Sequence, residues 1–135
     1  MISITISQII SACDALRPNR FEPGLKIKWL SELDGRLYLE LFKTHENCPI
    51  AHFAPYESSR CSLLVPAPYA GELYTSYLFS CMDRENGEMN RYNQSAAQYN
   101  AVYSQFFNFW NRENKPLSAG EFKLRGEEKC QVSPL

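Results

Sequence analysis

His45, Cys48, His52 and Cys61 are the side chains of this sequence best equipped to hold a metal, and Glu32, Asp34 and Glu40 are the acids closest together for proton transfer. The His/Cys spacings of three, four and nine match no zinc finger or ribbon, whose ligands come in closely spaced pairs. They also fall among prolines, so surface histidines and incidental thiols are expected there. His45-Glu46 is followed by Asn47, Cys48 and Pro49, without the second histidine of a zincin helix. Glu32 and Asp34 are two apart and point to different sides of a helix, while two turns separate Glu40 from Glu32. Solvated carboxylates are expected, with Glu32–Arg36 as an i,i+4 ion pair. No phosphate loop, dinucleotide fingerprint or nucleophile elbow occurs. The residues thus predict a protein that is no enzyme and takes neither cofactor nor metal.

Aromatic residues carry a clearer pattern. Met89, Tyr92, Ala96, Tyr99, Tyr103, Phe106 and Trp110 recur at alternating steps of three and four, close to a heptad seam. Without interleaved lysine or arginine the series makes a poor platform for bases. Helix packing is its ordinary use, but tyrosine is over-represented for a buried core because each hydroxyl wants a partner. Part of the series is therefore expected at a subunit contact, where tyrosine is enriched.

These residues need helices to position them. In the segment from Leu25 to Phe42, Ile27, Leu30, Leu33, Leu37 and Leu41 form one apolar stripe. Lys26, Lys28, Glu32, Asp34, Arg36 and Glu40 are interleaved and are expected on the opposite face. This helix is predicted over residues 23–44, with Pro23 in its first turn. Gly35 within it is unfavourable by about 1 kcal/mol relative to alanine, which a close crossing by another backbone would explain. A first helix over residues 7–16 follows from the Thr5/Gln8 capping-box spacing, a strand at residues 2–6 being the competing reading. A third helix opens at Pro68, and a fourth runs over residues 88–113. A break at residues 84–87 divides these two, although one kinked helix across Gly87 would keep the same phase. Residues 45–68 hold Pro49, Pro55, Pro66 and Pro68 and predict a loop with one short strand at residues 62–65. Its length predicts a poorly ordered partner-binding segment; the competing reading packs it down through Phe53, Tyr56, Leu63 and Leu64. The fold class is mainly α: a small helical bundle with two long helices, a proline-rich loop and an extended C-terminal tail. Residues 1–116 form the helical domain and residues 117–135 the extended or flexible tail.

Bulk properties narrow the classes. At 135 residues the chain is one domain with a modest core. A net charge of −1 argues against affinity built on neutralising phosphates. The start, Met1-Ile2-Ser3-Ile4-Thr5-Ile6, lacks the charged and apolar regions of a signal peptide. No apolar run approaches the roughly 20 residues of a bilayer crossing, so a soluble intracellular protein without membrane contact is expected. The five cysteines lack a CxxC pair and are expected as free thiols, Cys13 and Cys81 in the core.

An ordered set of short motifs adds a resemblance. Arg17-Pro18-Asn19, then Lys28-Trp29-Leu30-Ser31-Glu32-Leu33-Asp34-Gly35-Arg36, Thr44-His45-Glu46 and Leu63-Leu64-Val65-Pro66-Ala67-Pro68-Tyr69 occur in that order. Asn86-Gly87-Glu88, Arg91-Tyr92-Asn93, Tyr99-Asn100-Ala101-Val102-Tyr103 and Asn111-Arg112 follow. Over about residues 17–116 the set resembles the head–tail connector (adaptor, or head-completion) proteins of tailed phages and prophages of Gram-positive bacteria. The resemblance implies a mostly helical subunit that forms a homo-oligomeric ring on the portal protein and extends the DNA channel. It implies a second partner in the next neck or tail protein, and DNA that passes without sequence-specific binding. The place implied is the bacterial host cytoplasm during assembly and then the virion neck. A free subunit can be monomeric until the portal templates the ring. The expected subunit or partner contacts are Trp29, Glu32, Arg36, Tyr92, Tyr99, Tyr103 and Trp110. With the resemblance set aside, the same features describe a small cytoplasmic helical adaptor or regulator that binds one protein partner.

Overall fold

The computed structural model describes residues 3–117. Among the described residues four helices carry the fold: α1 (Ile6–Leu16), α2 (Pro23–Leu37), α3 (Tyr69–Glu85) and α4 (Met89–Glu113). The mainly helical class is as expected, and all of the tail predicted over residues 117–135 except Leu117 lies outside the described residues.

Thr5 begins α1 as the capping box requires. Its hydroxyl accepts from the Gln8 amide, and the Gln8 side chain accepts from the Thr5 amide. Two more donors at this helix start, the Ile6 and Ser7 amides, are taken by the carbonyls of Cys61 and Ser59. The strand expected at residues 62–65 is reduced to one bridge between Thr5 and Ser62, because its neighbour had already turned into helix. Ile6, Ile9 and Cys13 form the buried face of α1, and Cys81 is buried on α3.

The helix expected over residues 23–44 is α-helical only to Leu37. Tyr38–Phe42 forms a π turn, closed by the Lys43 amide on the Tyr38 carbonyl at 2.8 Å. The wider turn changes the phase of the stripe. Leu37, Tyr38, Leu41 and Phe42 are all buried as adjacent pairs, while Leu39 is left 60% exposed. The close neighbour of Gly35 is an aromatic ring rather than a backbone: a Cβ there would sit 3.3 Å from Phe53 Cε2.

Helices α3 and α4 pack along each other as a hairpin and supply most of the interhelical contact; α1 and α2 lie against α3. Asn86, Gly87 and Glu88 make the turn, so the two-helix reading holds. The Gly87 amide donates to the Arg84 carbonyl and the Glu88 amide to the Asp83 carbonyl, the paired bonds of a Schellman cap. Gly87 adopts φ +72° to make them.

The segment of residues 45–68 is seated on the bundle, as the second of the two expectations had it. Leu63 and Val65 are buried, and Phe53, Tyr56 and Leu64 are partly buried. Tyr38 donates its hydroxyl to the Ala51 carbonyl at 2.7 Å, and the Tyr56 amide donates to Ser31 Oγ at 3.0 Å. Beyond α4, the Leu117 amide reaches the Thr44 carbonyl. No helix among the described residues is long and apolar enough to cross a membrane.

Replacing Gly87 by alanine isolates the backbone requirement, since nothing lies within 4 Å of the added Cβ. Gly87→Ala should lower stability by about 1 kcal/mol through the left-handed conformation alone. Urea unfolding should show a lower midpoint at an unchanged m-value.

Candidate functional site

Helices α2, α3 and α4 leave an open groove of about 810 Å³ between them. Glu32 and Arg36 stand on the α2 side, Tyr77 and Arg84 on α3, and Tyr92 and Tyr99 on α4. Four of the seven predicted contact residues thus meet at one surface. Tyr103 extends it along α4, its ring stacked on Tyr99 at 6.1 Å between centroids. The groove exists because the buried stripe of α4 is Ser95, Val102, Phe106 and Trp110. The tyrosines lie to one side of that stripe and are only half-buried, and Met89 is exposed.

The two tryptophans are not surface contacts. Trp29 is buried edge-on against Phe21 at 5.6 Å, and Trp110 is buried edge-on against Phe42 at 4.8 Å. Their large apolar area completes the core at opposite parts of the bundle.

Glu32 and Arg36 do not form the expected ion pair. Arg36 instead donates from Nη2 to the Tyr77 hydroxyl at 2.9 Å, with its guanidinium carbon 5.7 Å from the Tyr77 ring centre. Burial pushes the Tyr77 hydroxyl up to about 12, while the positive charges of Arg36 and Arg84 pull the other way. Burial also raises the Tyr99 hydroxyl, again with Arg36 opposing. These phenols stay protonated across the physiological range, as polar contacts able both to donate and to accept.

The remaining chemical candidates lie outside the groove. His45 is buried, with Nδ1 on the Leu41 carbonyl at 2.8 Å and Nε2 against Asn111 Oδ1. It was expected at the surface, but the end of the π turn carries it under α4. Cys48 and Cys61 are half-buried free thiols, and His52 is exposed. Among the described residues no three His, Cys, Asp or Glu side chains converge on a possible metal position.

Asp34 departs furthest from expectation. Placed with the solvated charges by the sequence pattern, it is fully buried. Oδ1 accepts from the Tyr74 hydroxyl at 2.6 Å; Oδ2 accepts from the Tyr56 hydroxyl at 2.5 Å and the Leu64 amide at 3.0 Å. The Tyr74 hydroxyl in turn accepts from the Val65 amide at 2.9 Å. Burial raises the Asp34 carboxyl above the ordinary range, against the pull of its three donors. Lys26 is likewise buried, paired with Asp14 at 2.7 Å. An acid directly before a glycine gives no warning of these partners, because both tyrosines are distant in sequence.

Comparison with protein-family models, curated proteins and solved structures finds no match for the chain.

Two measurements check the Asp34 cluster. Tyr56→Phe removes one charge-assisted donor and should cost about 2 kcal/mol in urea unfolding. The pH dependence has a definite sign. With the folded carboxyl raised above its unfolded value, the native state binds more protons between the two. Stability should therefore fall as pH rises from about 4 through the folded value, and the decline should be smaller in Asp34→Asn.

Proposed function

We propose that this chain is a structural subunit of the neck of a tailed phage or prophage, a head–tail connector that assembles as a ring on the portal. The half-buried tyrosine face of α4 carries the reading: it borders an open groove while the core beside it is completed by other residues. The ordered motifs from Arg17 to Arg112 supply the phage context. In a ring each subunit presents one patch to a different patch on the next, so a face that stays half-buried among the described residues suits the role. The next neck or tail protein would then dock on the completed ring.

The test mixes the purified chain with DNA-filled, portal-bearing heads that lack it. Binding to the heads and restored tail attachment are expected; particles that neither bind it nor regain tails would refute the connector role. A Tyr92→Ala, Tyr99→Ala double variant should keep its helical circular dichroism and bind the heads at least about tenfold more weakly, as loss of interface aromatics commonly does.

A further inference from the structure

Arg36 and Arg84 face the groove without a carboxylate within ion-pairing distance among the described residues. The three ion pairs there, Arg17–Asp83, Lys26–Asp14 and Arg91–Glu88, lie elsewhere. Both arginines are exposed, and the Tyr77 hydroxyl fixes one N–H of Arg36 while leaving its other donors free. Glu32 is the acid of the lining, which carries two positive charges against one negative, while Glu40 lies outside the lining on the side of Tyr99 and Tyr103. Between them lie the rings of Tyr77, Tyr92 and Tyr99, and Leu39 is 60% exposed at the edge. Guanidinium groups bind carboxylates through paired, directional hydrogen bonds, and aromatic walls bury an apolar side chain.

We infer that this groove receives an acidic peptide segment of a protein partner, its carboxylates on Arg36 and Arg84 and an aliphatic or aromatic anchor between the tyrosines. Charge complementarity favours this occupant over a nucleic-acid strand. Two cations beside a carboxylate, on a chain of net charge −1, neutralise few phosphates. The inference rests on the groove being a contact surface, as proposed above, and is independent of which particle supplies the segment.

A random library of short displayed peptides, selected against the intact immobilised protein, tests it directly. Enriched peptides should combine Asp or Glu with an apolar or aromatic residue. They should bind an Arg36→Glu, Arg84→Glu variant at least about tenfold more weakly, with affinity falling as salt rises. An Arg20→Glu control, on another surface, should bind as the unchanged protein does. Circular dichroism of the double variant checks its fold, and Arg84→Gln offers a milder second variant, expected to weaken binding in the same direction. No enrichment, enrichment of neutral or basic peptides, or affinity indifferent to the arginines would overturn the inference. So would self-association through the groove, or a single-stranded oligonucleotide that binds there in preference to the peptides. Acidic peptide binding without attachment to phage heads would leave the groove assignment standing and remove the connector reading.

Discussion

A carboxylate taken out of water must have its lone pairs satisfied, and Asp34 meets that demand with donors from three places in the chain. Tyr74 comes from α3, Tyr56 from the long connection, and the Leu64 amide from the segment that carries Leu63 and Val65 into the core. The connection therefore cannot lift away without leaving the buried acid two donors short and the Tyr74 hydroxyl without the Val65 amide. The same seating places the Cys61 and Ser59 carbonyls over the first amides of α1. One polar cluster thus ties the second helix to the third, the loop to both, and the first helix to the loop.

Two further buried charges repeat the principle at the other end. Lys26 reaches Asp14 across the α1–α2 turn, and Asp83 takes Arg17 on one oxygen and the Ser95 hydroxyl on the other. Such pairs add less stability than their short distances suggest, because desolvation offsets much of the attraction. Their stronger consequence is geometric: Asp83 joins the end of α1 to α3 and α4, so the hairpin and the first helix hold a fixed register. The apolar side chains between them, Phe42, Leu73, Leu78, Phe106 and others, then pack without alternative pairings.

Local rules were legible wherever the signal lay within a few residues. The Thr5/Gln8 cap, the break before Gly87 and the ends of the last helix follow from side-chain and backbone chemistry that needs no distant partner. The π turn did not, because it trades a local hydrogen-bond pattern for burial of Tyr38 and Phe42 against α4 and the loop. Asp34, Lys26 and His45 were hidden for the same reason. Polar residues interleaved with an apolar stripe look solvated until a partner far along the chain arrives. Trp29 and Trp110 show the converse, apolar surfaces assigned to a contact when the core of a small domain needed them first.

The candidate surface follows from a phase difference on one helix. At 100° per residue, the Tyr92, Ala96, Tyr99 and Tyr103 row is turned by roughly 50° from the stripe of Ser95, Val102, Phe106 and Trp110. A heptad reading merges the two rows, since Phe106 and Trp110 lie where they converge. Folding separates them: the small Ser95 lets α4 close on α3, and the tyrosines are carried to the rim, too apolar for open solvent and too polar for the core. Arg36 and Arg84 reach the same rim from α2 and α3, where long flexible stems keep their charges in water. Among the described residues an amphipathic border of this kind remains once the apolar core is packed.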